Sequence, residues 1–356
     1  MKKIMPLIFI LLFITGCYDY SELDELAIVS AVAIDKEDDR YLVTLEILVD
    51  EKSPSGGSQT SALIASGTEK TISSAFKVAS LSVAKEMYFE HLEAVIISED
   101  IAKEDFKHLV KYLIREPKIN NDFRLVIANG AKASEIITSQ TKTDPIVGDK
   151  IIAMLLHDKS GNNISTNLYY EDLLIKMMNN KNDGYFASIR KVDEETKLGG
   201  FAIFDNYQFK KFLDIEKSLI MNILTSSSTN ATFDTILDGE TLSIKTHKSK
   251  SGIKFKDNKF IVSASISAAI VEDTLNRSAK DVDTFREIEE IFKEKLTKEI
   301  DEFIKELKLI DSDVLGMNFA YFKATKKNED IWKSLDYEIK LDVKINKIGL
   351  TYEVEL

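Results

Sequence analysis

Between Ile253 and Leu309 the chain changes its apolar period in a way that few folds can accommodate. Ile253 and Phe255, then Phe260, Val262, Ala264, Ile266, Ala268 and Ile270, alternate on either side of Lys256-Asp257-Asn258-Lys259, the pattern of two antiparallel strands joined by a tight turn. From Thr284 to about Leu309 the apolar residues recur instead at steps of three and four: Phe285, Ile288, Phe292, Leu296, Ile300, Phe303 and Leu307, with lysines and glutamates between them. That stripe is one face of a long helix, read here as a domain-core face rather than a coiled-coil seam. Near the C-terminus Tyr337, Ile339, Leu341, Val343 and Ile345 alternate with Glu338, Lys340, Asp342 and Lys344, after which Ile348, Leu350, Tyr352 and Val354 fall on even numbers. A side-chain period of two cannot change phase without an extra residue, so a bulge or tight turn is expected near Asn346 to Gly349.

The first half is also mixed. Leu26 to Asp35 and Tyr41 to Val49 are β-rich runs joined by a polar turn, Lys36 to Arg40. A Ser/Gly-rich stretch from Ser53 to Ser61 reads as a loop, and Thr71 to Glu86 as a helix. Glu93 to Ser98 and Phe123 to Ala128 read as short buried strands. Between them Phe106, Leu109, Val110, Leu113 and Ile114 mark one face of a helix that ends before Pro117. Beyond Asp144-Pro145, helices are expected at Ile146 to Leu156 and Tyr169 to Asn179, separated by the polar Asp158 to Asn163. The predicted class is α+β, or mixed α/β, built from small domains that each carry a mostly antiparallel or mixed sheet flanked by helices. The charged run Asp193 to Lys197 before Gly199-Gly200 places a boundary between 17–195 and 196–356.

The first seventeen residues decide where such a body resides. Lys2 and Lys3, an apolar run from Ile4 to Ile14, and then Ile14-Thr15-Gly16-Cys17 form a bacterial lipoprotein export signal, residues 1–16 being removed. The run is broken by Pro6 and is far shorter than the ~20 residues of a spanning helix. The Cys17 thiol would carry a thioether-linked diacylglycerol. Cys17 is the one cysteine of 356 residues, so no intramolecular disulfide is available and the exported body depends on its core alone. Of the whole chain, 44% is hydrophobic and 30% charged, the composition of a water-soluble globular protein of about two domains.

Charge and motif searches exclude several classes. The formal charge of −12 becomes two units more negative when Lys2 and Lys3 leave, which repels a phosphate backbone and argues against nucleic-acid binding. No Gly-rich phosphate loop, dinucleotide fingerprint or nucleophile elbow is present. His91, His108, His157 and His247 are scattered, with no pair spaced to share a metal on one helix face. The adjacent His157-Asp158 is read as a helix end, and acidic clusters such as Glu194-Glu195 as solvated faces that lack the calcium-loop pattern. No catalytic residue, metal site or cofactor is expected, and Cys17 is the single candidate site residue, for lipid attachment.

Several stretches together resemble one family. Cys17-Tyr18-Asp19-Tyr20, Glu22-Leu23 and Leu26 to Asp35 are similar to the mature start of the Ger(x)C spore germination lipoproteins, the C subunits of nutrient germinant receptors. Tyr88-Phe89-Glu90-His91-Leu92 with Ile96-Ile97, Arg115-Glu116-Pro117 and Leu125 to Ala128 look like the family's N-terminal domain. Gly200 to Phe204, and Trp332 through Asp342, Val343 and Ile345 to Gly349-Leu350, look like its C-terminal domain. The chain departs from the family at Tyr18, where tryptophan is usual, in the polar Asp205 to Gln208, and at Phe212, where a tryptophan is often found.

The resemblance implies a non-enzymatic, palmitate-bearing lipoprotein on the outer face of the inner spore membrane. It would be assembled with a multi-spanning A subunit and a transporter-like B subunit, and would help convert nutrient detection into germination. The competing reading is a solute-binding lipoprotein of an importer, which would show two similar βαβ lobes around a ligand cleft. A surface-anchored hydrolase is disfavoured by the missing nucleophile and metal motifs.

Overall fold

The computed structural model describes residues 25–52, 58–141, 144–156, 169–178, 183–193, 195–225, 230–237, 239–273 and 282–348. The larger of two sheets begins with β1 (Leu26–Glu37), β2 (Arg40–Lys52) and β3 (Ser58–Glu69), an antiparallel meander whose first turn places Asp38 at φ 51°. The expected hairpin is therefore present, but β3 corrects the loop reading. Of Ser53 to Ser61, the described residues Ser58 to Ser61 already pair with Val49 to Lys52. A run rich in Ser, Thr and Gly carries no apolar alternation, yet it serves as an edge strand fixed chiefly by its backbone ladder to β2.

Helix α1 (Ile72–Ser80) follows, with Thr71 as its N-cap accepting from the Ser74 N–H at 3.1 Å. The predicted helix ran on to Glu86, but it stops at Ser80. The Ser80 and Ser82 hydroxyls bond the Lys77 and Ala79 carbonyls, satisfying the helix end locally, and the chain then enters β4 (Glu86–Tyr88). Helix α1 lies directly on β3, because a Cβ at Gly67 would overlap the backbone of Ala75 and Ala79. Only glycine permits that approach.

The sheet continues through β5 (Ala94–Ile97), β6 (Arg124–Ala128), β7 (Tyr185–Val192), β8 (Glu195–Asp205) and β9 (Gln208–Phe212). Its order is β3-β2-β1-β5-β6-β7-β8-β9, with β4 pairing the start of β1. The centre, β1-β5-β6-β7, is parallel and both flanks are antiparallel. Helices cover both faces, which explains the nearly continuous apolar runs of the central strands. On one face Ala31, Ala33, Ile96 and Val126 meet α3 (Ala133–Ile137) and α4 (Val147–Leu156). On the other, Val32, Ile34, Ile97 and Ile127 meet a π-helical turn, Ile101–Asp105, with α2 (Phe106–Arg115) and α5 (Tyr170–Met178). Phe106, Leu109, Val110 and Leu113 are buried as expected, whereas Ile114 is 46% exposed. Eight residues from Phe106 rotate a side chain about 80° off the stripe, to its edge.

After α6 (Ile215–Thr225) come β10 (Thr232–Leu237), β11 (Glu240–Lys256) and β12 (Lys259–Asp273). Helices α7 (Val282–Ile310) and α8 (Met317–Thr325) then lead to β13 (Tyr337–Ile348), which pairs parallel with β12. The small sheet has the order β10-β11-β12-β13. Asp257 and Asn258 both have positive φ, 51° and 58°, as the two-residue turn of the expected hairpin requires. Ile288, Phe292, Leu296, Ile300, Phe303 and Leu307 on α7 are all buried against this sheet. The phase change in β13 is a bulge: Ala268 opposes Ile345 and Ala269 opposes Lys347, leaving Asn346 as the extra residue.

The 195/196 division falls one residue into β8, which pairs with β7 in one sheet. A single core runs through both halves, from Val32 and Phe204 to Phe260 and Phe303. The architecture is the mixed, helix-flanked sheet class expected, and among the described residues the two sheets differ in strand number and topology rather than forming two similar lobes.

Candidate functional site

Cys17, the one predicted site residue, lies outside the described residues, as do Tyr18 and Tyr20. Asp19, Glu22-Leu23 and Gly349-Leu350 also lie outside the described residues, and the other quoted motifs fall in both sheets and their joints. Leu26 to Asp35 is the body of β1, Gly200 to Phe204 the core of β8, and Trp332 is buried with its backbone N–H on the Asn318 side-chain oxygen at 3.1 Å. Gly200 has φ +98°, and a Cβ there would overlap the Leu213 carbonyl oxygen, so this glycine is set by both conformation and space.

Buried carboxylates are the most distinctive chemistry, and each holds a helix end. Glu46 on β2 accepts from the Val147 and Gly148 N–H groups at 2.6 and 2.8 Å, at the start of α4, and from the Ser30 hydroxyl at 2.8 Å. Asp35, the last residue of the β1 motif, accepts from Ala133 and Ser134 N–H at 2.7 and 2.8 Å, at the start of α3. Asp313 accepts from Met317 and Asn318 N–H, both at 2.7 Å, at the start of α8. Exposed helix N–H dipoles favour negative charge at these positions. Burial opposes it and pushes all three carboxyls upward, Asp313 to about 8 with its neighbour Asp183 adding to the rise. These acids are spent on architecture, with their oxygens already occupied by backbone donors.

A second acidic group gathers where β5 and β6 begin. Burial pushes Glu93 up to about 7, helped by a hydrogen bond to the Asp149 carboxyl and by its charge, while Arg124 pulls the other way. The Arg124 guanidinium lies 3.7 Å from the Tyr169 ring centroid. Neither Glu46 nor Glu93 was legible as special. Glu46 sits in a strand whose alternation marks it as outward-facing, Glu93 opens a short apolar run, and α4 is the element that meets both.

The described histidines stay apart: His91 is 6.0 Å from the Tyr88 ring, His108 is 6.1 Å from the Tyr41 ring, and His247 is the bulged, exposed residue between Thr246 and Lys248 of β11. His157 lies outside the described residues. Among the described residues no group of three or more His, Cys, Asp or Glu could hold a metal ion, and no helix is long and apolar enough to cross a membrane.

Two concavities flank β4, at the end of the molecule where Leu26 enters the sheet. One of about 400 Å³ has a floor of Phe76, Phe89 and Tyr112, with Phe76 stacked on Tyr112 at 5.8 Å, and a rim that includes Lys77, Lys85 and the Lys118–Glu86 ion pair at 3.2 Å. The other, of about 650 Å³, is lined by Leu26, Ile28, Ile47, Leu48, Val49, Leu63 and Val83. The N-terminal end of β1 thus lies beside apolar surface.

Residues 19–191 match the family described as spore germination protein N-terminal domain, and residues 199–349 match spore germination B3/GerAC like, C-terminal. The chain is 23% identical to spore germination protein KC of Bacillus subtilis (strain 168), over 94% of this chain and 92% of that protein. It is 21% identical to spore germination protein GerQC of Bacillus cereus, over 99% of this chain and all of that protein. The crystal structure of the GerBC protein superposes with a TM-score of 0.55 at 16% identity, covering 88% of this chain and 96% of that one, which is a likeness of fold.

Proposed function

Since the chain belongs to the Ger(x)C family of spore germination proteins, we propose that it is the lipid-anchored, non-enzymatic C subunit of a nutrient germinant receptor. The observation that carries this reading is the pair of family matches, which follow one another over residues 19–191 and 199–349 and so account for nearly the whole exported body. Relatives matched end to end bear spore germination names.

In this reading Cys17 carries the diacylglyceryl lipid. Two acyl chains, at ~0.8 kcal/mol per buried methylene, hold the acidic body stably on the outer face of the inner spore membrane. Confinement there raises its local concentration near the membrane-embedded A and B subunits, so a modest interface suffices for assembly. The carboxylates at the starts of α3, α4 and α8 support a scaffold role, because each is consumed in fixing a helix. The importer reading loses support from the unlike sheets.

Deleting the coding sequence in its spore former should slow nutrient-triggered germination while leaving germination by calcium dipicolinate intact. A normal nutrient response in a strain with no related receptor would overturn the assignment. Separately, Cys17→Ala should move the protein from spore membranes to the soluble fraction. Full retention of an unlipidated protein would refute the anchor while leaving the family role standing.

A further inference from the structure

The outer edge of β13 has an unusual combination of free backbone and charge order. Asp336 accepts the Phe260 N–H at 2.9 Å, which turns the even-numbered backbone groups of β13 toward β12. The odd-numbered groups must then face outward, and the Ile345 N–H does so, donating to the Glu289 carboxylate at 2.8 Å rather than to a strand. Among the described residues β13 pairs only with β12, so Ile339, Leu341 and Val343 present their N–H and C=O groups along an open edge. No proline or further bulge interrupts Tyr337 to Ile345.

On the solvent side of this edge the sequence reads Glu338, Lys340, Asp342, Lys344. We infer that β13 is a self-pairing edge, at which two copies of this chain join their small sheets antiparallel about a two-fold axis at Leu341. In that register Glu338 faces Lys344 of the second copy and Lys340 faces its Asp342, so every opposed pair is of opposite sign. The backbone parity agrees. Ile339 opposes Val343 and Leu341 opposes itself, all residues with outward groups, giving about six main-chain bonds. Moving the axis to residue 340 sets Lys340 against Lys340 and Glu338 against Asp342. Moving it to residue 342 sets Asp342 against Asp342 and Lys340 against Lys344. Both neighbouring registers are repulsive, so the charge order selects one pairing and penalises the slips that an edge strand would otherwise permit. Ser265 and Lys259 already brace Asp342 and Glu338 from β12, at 3.3 and 2.6 Å, which orients both acids on the same face. The inference concerns the small sheet alone and holds whether or not Cys17 carries lipid.

Sedimentation of the full-length chain in detergent micelles, from micromolar to hundred-micromolar protein, tests it. The wild type should show a dimer whose fraction rises with concentration. Asp342→Lys, which brings lysines face to face twice across the axis, should weaken dimerisation by tenfold or more. Lys340→Asp combined with Asp342→Lys should restore it, because the exchanged charges again oppose their complements. Thermal unfolding of each variant establishes that the monomer is intact. A wild type that stays monomeric throughout, a dimer indifferent to Asp342→Lys, or a double variant that fails to recover would overturn the pairing.

Discussion

Glu46 and Gly148 are fitted to each other: the carboxylate accepts the glycine N–H at 2.8 Å, and a Cβ on Gly148 would come within 3.3 Å of that same carboxylate oxygen and 3.0 Å of the Ser30 carbonyl. The helix start, the acid beneath it and the missing side chain form one joint between β2 and α4.

Glu46→Ala should therefore loosen α4 first. Removing the acid strands the buried Val147 and Gly148 N–H groups, while the Ser30 hydroxyl keeps the residue-46 backbone carbonyl at 3.3 Å, a cost of about 2–4 kcal/mol. Urea denaturation should register that loss, and amide exchange at Val147 and Gly148 should quicken before exchange in β12 does. Equal quickening everywhere would mean that Glu46 is not a local fastener.

Stability should depend on pH through Glu93. Its folded carboxyl titrates near 7 against an ordinary value of 4.5, so the folded state holds the proton longer than the unfolded one. The associated stabilisation is fully present below about 4.5 and disappears as pH rises through about 7. Denaturation midpoints should fall between pH 5 and pH 8, and Glu93→Gln should flatten that slope. An unchanged slope in the variant would assign the dependence to other acids, with Asp313 the next to test.

Gly67→Ala should be costly although it adds one methyl group. The new Cβ meets the α1 backbone at Ala75 and Ala79 rather than a movable side chain, so helix and strand must separate, at about 3 kcal/mol. A thermal midpoint within a degree or two of the wild type would show that α1 can shift without penalty.

Phe292→Ala should remove a fully buried ring from the middle of α7 and destabilise by about 3–5 kcal/mol. Phe285→Ala, at the partly exposed start of the same stripe, should cost distinctly less. Comparable losses at both would contradict the packing of α7 on the small sheet.

Legibility in the sequence followed burial geometry. The β11–β12 turn, the α7 stripe and the Asn346 bulge were readable because each covers one face only, and a one-sided environment writes its period into the residues. Strand β3 was not readable, since its Ser, Thr and Gly positions contribute backbone rather than apolar side chains. The turn at Ser80 was hidden because two serine hydroxyls end α1 without glycine or proline. Glu46 and Asp35 are invisible as helix caps. An acid that serves a helix distant in sequence has no local signature, and Val147 lies 101 residues from Glu46.

The hairpin of β7 and β8 has a consequence for how the two family modules can be handled. The second module begins inside the sheet of the first, and β8 with β9 completes that sheet's far flank. Scission near residue 195 would strip β7 of its antiparallel neighbour and leave Phe186 and Phe204 without each other, 5.3 Å apart in the intact chain. Neither fragment is a detachable cassette, and a displacement imposed on one module is delivered to the other through shared strands rather than through a slack tether.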